Sequence, residues 1–295
     1  MNGGFGPAEP PESRLTRDQR AASSTSACRR ISPEWPAPDA IATRIERWGS
    51  IDHSGCQPQE YSAMPPEQWN TPSEEEKKLA REIVRHESFT LVKVILAINA
   101  LVFLCWLFLP VPFMADNFLV SWSQLAGGRV WTLVTAVFSH YLLFHLLINM
   151  IVLWSFGPLL AWLMGAREFL FFYLTAGVMG SLAHALVSNL LMDQPEQAAL
   201  GASAALAGVL LLFSLTFPRA KVLFFFIIPT PAIVAALIFI GIDLWGLIMQ
   251  IEANGGWPIG HGAHLGGALT GIVYFLIRGR KLKREKERRD VPDLG

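Results

Sequence analysis

Charge is the first thing this chain lacks. Between Phe89 and Ile277 only 11 charged side chains occur: Lys93, Asp116, Arg129, Arg167, Glu168, Asp193, Glu196, Arg219, Lys221, Asp243 and Glu252. The whole chain of 295 residues holds 24 Lys+Arg and 24 Asp+Glu, so the remainder is crowded with charge and the formal balance is zero. Cysteine is also scarce. Cys28, Cys56 and Cys105 lie far apart, in neither disulfide-framework nor zinc spacing. An apolar signal-peptide core is missing from the N-terminus. Hydrophobic residues make up 52% and mean hydropathy is +0.37. A soluble enzyme, a collagen-like chain and a free nucleic-acid binder are excluded as readings of the whole chain.

What is present falls into three parts. Residues 1–88 are polar and rich in proline, with Pro10-Pro11, Pro65-Pro66 and the run from Pro33 to Pro38, and read as an irregular cytoplasmic tail. Ser73 and Glu76 fit a capping box, so a juxtamembrane helix near 73–88 is expected to lie against the membrane. Residues 89–277 form the core. Six apolar stretches, near 89–113, 143–164, 168–190, 200–217, 222–249 and 259–277, are each long enough to cross about 30 Å of hydrocarbon. Residues 278–295 form a basic cytoplasmic tail. The fold class is an all-α polytopic membrane protein, a bundle of six transmembrane helices in contact with the lipid bilayer.

Lysine and arginine before the first span, in the second and fourth loops and after the sixth place both termini on the cytoplasmic or matrix side. The C-terminal basic run reads as a topology determinant touching anionic lipid, with no nucleic-acid partner.

Polar side chains inside a span are costly and need a reason. His140, His145 and Asn149 mark the start of span two, His184 lies in span three, Ser203 in span four, Asp243 in span five and His264 in span six. With this topology His145, Asn149, Ser203 and His264 share one depth just below the outer surface, which points to one site. His145 and Asn149, four apart, occupy one helix face. Gly201, Ala204, Ala205 and Gly208 on span four, with Ala263, Gly267 and Gly271 on span six, permit close backbone approach. That brings His264 within reach of Ser203.

A serine hydroxyl needs a base to become a nucleophile, and histidine is the usual base. An acyl-transfer intermediate needs hydrogen-bond donors, for which the Ser203 backbone N–H, His145 and Asn149 are candidates. Asp243 reads as a structural hydrogen-bond partner ahead of a catalytic role, so Asp243→Asn is expected to keep substantial activity; His184 reads as structural. Metal binding by His140 and His145 is not expected, because five positions apart on a helix they diverge by about 140° and no zincin motif is present.

At these residues the chain resembles the rhomboid intramembrane serine proteases over about residues 89–277. The resemblance rests on Gly201-Ala202-Ser203-Ala204, on Ala263-His264-Leu265-Gly266-Gly267-Ala268-Leu269-Thr270-Gly271, and on His140, His145 and Asn149. Phe138-Ser139-His140, Phe144-His145 and Val152-Leu153-Trp154-Ser155-Phe156 look closest to the presenilin-associated rhomboid-like branch. The resemblance implies a Ser203 nucleophile and a His264 base, with His145 and Asn149 serving the oxyanion beside the Ser203 N–H; His140, Gly201 and Asp243 are candidates for supporting positions. It implies a serine-type endopeptidase that cuts single-span transmembrane substrates near the outer face, with no metal or cofactor. The loop from Asp116 to Phe138 would resemble the family's first loop, and span five with the loop Glu252 to Gly262 would form gate and cap. Several positions depart from the family pattern. Ala204 replaces a common glycine, Thr132 follows Trp131 where Trp-Arg is common, and Ala207 stands where an aromatic usually backs the histidine. The mitochondrial members carry an extra N-terminal span that this chain does not show, so a bacterial inner membrane is expected, with the mitochondrial inner membrane as the alternative. Two other readings are an inactive rhomboid-like protein that binds membrane clients and a small polytopic transporter.

Overall fold

A computed structural model describes residues 74–224, 227–253 and 259–291. These belong to one compact unit, Pro72–Gly295. The proline-rich segment and Ser73 of the expected capping box lie outside the described residues.

The first helix, α1, runs unbroken over Glu74–Phe108. The sequence predicted a separate surface helix near 73–88. No glycine or proline interrupts 74–108, so nothing stops the hydrogen-bond ladder where polar residues give way to apolar ones. Ser88, fully buried, donates its hydroxyl to the Val84 carbonyl at 2.7 Å and so satisfies itself within the helix. The helix ends before Pro110, and three short helices follow: α2 (Val111–Phe118), α3 (Trp122–Ala126) and α4 (Thr132–Thr135), then a 3₁₀ turn at Ala136–Phe138. This is the Asp116–Phe138 connection. Ser121 caps α3 by accepting from the Gln124 N–H at 3.2 Å, and the Trp106 indole N–H donates to the Ser139 hydroxyl at 2.8 Å, which ties the connection to α1.

Helix α5 covers Leu143–Met164, the predicted bounds of span two, and Gly165 at φ +88° turns the chain directly into α6, Ala166–Leu190. Helix α7 is Ser203–Thr216, 14 residues. Span five differs from expectation in its first third. Lys221–Phe224 (β1) and Ile228–Pro231 (β2) form an antiparallel hairpin, and only Ala232–Ala253 is helical, as α8. Pro229 and Pro231 explain this: each lacks an N–H and would break a helix interior, whereas alternate positions of an unshared strand edge tolerate them. Helix α9 is His261–Arg288. It runs on past the apolar stretch because Lys281 and Tyr274 both donate to Glu168 at the start of α6, at 2.5 and 2.6 Å.

Among the described residues four helices are long and apolar enough to cross a membrane: Glu82–Phe108, Leu143–Met164, Ala166–Leu190 and Ala232–Glu252. Ser203–Thr216 is a shorter apolar helix, and α9 is apolar to Ile277 and basic beyond. The chain is a predominantly helical polytopic membrane protein, with the one short hairpin among the described residues. Helix α7 is the hub of the bundle, packed against α5, α6, α8 and most extensively α9. Its partners reach it across small residues. A Cβ on Gly267 would overlap the Ala204 carbonyl, and one on Gly271 would stand 2.6 Å from the Gly208 carbonyl oxygen. Helices α1 and α8 lie at the periphery of the bundle: 22% of the apolar stretch of each is buried, against 44% in α5 and α6.

Candidate active site

Ser203 is the first residue of α7, and the chain before it is fastened at several points. Val120 and Ala199 exchange backbone hydrogen bonds at 2.9 and 2.8 Å, and the Gly201 N–H donates to the Ala136 carbonyl at 2.9 Å. Gly201 has φ +123°, a conformation that a residue with a Cβ rarely adopts, and a Cβ there would lie 2.6 Å from His145 Cε1. The glycine two before the serine is thus required twice over, by backbone turn and by the imidazole against it. Helical geometry leaves the first N–H groups of α7, that of Ser203 among them, without partners one turn back, and these form the positive end of the helix.

His264 is the fourth residue of α9. Its Nε2 lies 2.9 Å from the Ser203 hydroxyl oxygen and its Nδ1 lies 2.9 Å from Asp243 Oδ1. A carboxylate only accepts, so Nδ1 carries the hydrogen and donates it to Asp243, leaving Nε2 to accept the serine O–H. The glycine-lined contact of α7 with α9 makes the approach short enough. The aromatic support absent at Ala207 comes from α8 instead, where Phe239 stacks on His264 with ring centroids 5.6 Å apart and planes at 27°. The sequence reading missed Phe239. Its spacing of four from Asp243 was the available signal, since it puts both on one face of α8.

On the other side of Ser203, His145 is the third residue of α5 and Asn149 lies one turn deeper, in the second turn rather than the first. The buried Asn149 amide donates to His140 Nε2 at 2.9 Å, and the Ala202 N–H approaches the same nitrogen at 3.4 Å. His140 and His145 do not diverge as the sequence predicted. Their rings meet edge to face at 4.9 Å, because residues 139–142 are not helical and the 100° per residue rule does not apply across them. The polar groups expected at an oxyanion therefore form a continuous bracket, Asn149 to His140 to His145, behind Gly201 and Ala202.

Asp243 is 3% exposed and accepts from a second imidazole, His261 Nδ1, at 2.7 Å. The sequence reading overlooked His261, although its spacing of three from His264 places both on one face of α9. Asp243, His261 and His264 have ligand atoms within 4.8 Å of one another, a set whose donors suit a divalent ion. His184 bonds the Gln197 carbonyl at 3.2 Å, in line with a structural role. Residues 254–258 of the expected cap loop, Glu252 to Gly262, lie outside the described ones.

Compared with known proteins, residues 127–281, more than half of the chain, match the model of the Rhomboid domain family. Rhomboid protein 1, mitochondrial, of Saccharomyces cerevisiae is 32% identical over 207 residues, which cover 68% of this chain and 56% of the relative. RHOMBOID-like protein 12, mitochondrial, of Arabidopsis thaliana is 34% identical over 194 residues, 61% of this chain and 56% of the relative. The human presenilin-associated rhomboid-like protein, mitochondrial, is 32% identical over 198 residues, 65% of this chain and 49% of the relative. The chain spans about half the length of the curated relatives it matches.

Proposed function

The chain belongs to the rhomboid family and has the fold of an intramembrane protease, and from that premise we propose that it is a serine endopeptidase acting on single-span membrane proteins. One observation carries the reading. The hydroxyl of Ser203 on α7 and Nε2 of His264 on α9 stand 2.9 Å apart, although 61 residues separate them in sequence.

In the proposed reaction His264 Nε2 takes the Ser203 proton as Oγ bonds to the scissile carbonyl carbon. The carbonyl oxygen becomes an oxyanion, met by the Ser203 N–H and by His145 and Asn149. Each such donor is worth about 3–4 kcal/mol in the transition state. Collapse breaks the C–N bond, and the departing nitrogen takes the proton from His264, leaving an ester on Ser203. Water then attacks the ester, giving a proton to His264, and the carboxylic acid leaves as Oγ recovers it. His140 and Gly201 hold the wall from which these groups act.

The length of α7 supports placing the site inside the bilayer. Fourteen residues rise about 21 Å, short of the roughly 30 Å hydrocarbon layer, so the helix that begins at Ser203 cannot span it. The lysine and arginine pattern puts that end on the non-cytoplasmic side. A transmembrane helix satisfies its own backbone groups, so a substrate helix must unwind locally before its carbonyl reaches Ser203. The proposed division keeps a tail of 1–88, a catalytic core of 89–277 and a basic tail of 278–295, with α1 and α9 running across the two boundaries. The relatives named above are mitochondrial, which favours the mitochondrial inner membrane over the bacterial membrane expected from the sequence.

An inactive client-binding protein would not need a serine and a histidine in hydrogen-bond contact. The test is a fluorophosphonate probe on the purified chain. Labelling should map to Ser203 and vanish in Ser203→Ala and His264→Ala. Labelling that survives in Ser203→Ala would overturn the proposal.

A further inference from the structure

The support of His264 comes from α8, which, like α1, is less buried than α5 and α6. On α8, Phe239 covers one face of the imidazole and Asp243, one turn on, accepts from its Nδ1. Asp243 Oδ1 accepts a second hydrogen bond from His261 at 2.7 Å, and the Asp243 and His261 side chains are 5% and 7% exposed. Space for the second ring is made by Gly246: a Cβ at that position would overlap His261 Nε2 and stand 2.5 Å from its Cε1. A buried carboxylate that receives one neutral N–H keeps much of its desolvation cost and has freedom to turn. With two donors on one oxygen it is fixed between both rings.

We infer that His261 is a positioning residue, which pins the Asp243 carboxylate against His264, so that the site is a chain Ser203–His264–Asp243–His261 assembled across α7, α8 and α9. This rests on the assignment of Ser203 and His264 above. It also corrects the expectation that Asp243 is a structural partner whose replacement by asparagine is mild. Asparagine offers the His264 Nδ1–H a weaker acceptor, or turns its N–H towards that ring and stabilises the tautomer in which Nε2 carries the hydrogen and accepts nothing. Since both supports lie on α8 while both histidines lie on the first turn of α9, displacement of α8 breaks the chain at Asp243. The base is then oriented only while α8 is docked.

The test is the rate at which the full chain in detergent is phosphonylated by a fluorophosphonate probe, resolved into a binding constant and a maximal rate. Asp243→Asn should slow the maximal rate by about 10² or more. His261→Ala should slow it about tenfold, the worth of one hydrogen bond to a charged group, with probe binding unchanged. His261→Gln, which still carries an N–H, should recover most of that loss. Because His261 acts through Asp243, adding His261→Ala to Asp243→Asn should change the rate by less than about twofold. Gly246→Ala keeps both imidazoles and only displaces the His261 ring; it should reproduce the tenfold loss, and it decides the matter if the His261 variants do not melt as folded proteins. A wild-type rate in Gly246→Ala or His261→Ala overturns the inference, as does an equal loss from His261→Ala in both backgrounds. Absence of Ser203 labelling in the wild type would instead overturn the protease assignment itself.

Discussion

Replacing Gly201 by alanine tests the local architecture of the serine most severely. Its φ of +123° lies outside the regions open to an L-residue, a strain of about 1–3 kcal/mol. The new methyl would also sit 2.6 Å from His145 Cε1 and 3.0 Å from Nε2. Overpacking of that kind costs about 1–3 kcal/mol, and His145 is also in edge-to-face contact with His140 at 4.9 Å. The two costs add to about 2–6 kcal/mol, shared between lost stability and a shifted Ser203. A shift of about 1 Å in a reacting group costs roughly 10²-fold in rate. Thermal unfolding in detergent and fluorophosphonate labelling should therefore both fall, labelling by about 10²-fold or more. A Gly201→Ala protein that melts and labels like wild type would refute the argument that this glycine shapes the site.

Three further outcomes are expected. Gly267→Val should abolish the folded state in detergent extracts, because even a single Cβ there overlaps the Ala204 carbonyl; a monodisperse, labelled Gly267→Val protein would show the helices are not that close. Chelation with EDTA should leave Ser203 labelling unchanged, since His264 Nδ1 is committed to Asp243 and Nε2 to Ser203; loss of labelling that zinc restores would reveal a metal centre at Asp243, His261 and His264. Glu285 is held below the usual carboxylate range by its hydrogen bond from Arg288, and then by Arg289. Its contribution is present at neutral pH and lost as pH falls through the depressed value. The pairs are partly solvated, so Glu285→Gln should lower stability by less than about 1 kcal/mol at pH 7 and converge with wild type as the pH falls through the depressed value, read by thermal melts; a cost of several kcal/mol would contradict this.

The parts of the fold legible in the sequence were those in which one physical signal dominated. Leu143–Met164 emerged at its observed bounds because apolar residues run between a polar start and Gly165. Ser203 and His264 stood out because polar groups at matching depths on different spans are costly without a shared purpose. Their meeting followed from glycines whose role is to leave space. Elements at the margins of apolar runs were not legible. Hydropathy alone cannot distinguish a greasy hairpin from a helix, and Pro229 and Pro231 had to be read as delaying the start of the helix rather than bending it. The continuity of α1 was hidden by the change from polar to apolar residues near 88, although no glycine or proline interrupts the segment and Ser88 satisfies its hydroxyl within the helix. His261 and Phe239 were missed for a different reason. Each acts on a residue already singled out, and only three-dimensional contact identifies the helix that supplies the support.

The most direct test of the account is cleavage of a single-span reporter co-expressed in membranes with wild type, Ser203→Ala or His264→Ala, with the new N-terminus of the product sequenced. The account predicts a cut inside or at the edge of the reporter's apolar segment, on the face opposite the basic termini of this chain, with wild type alone. Cleavage that persists in both variants, or a cut confined to the reporter's soluble domain, would contradict it.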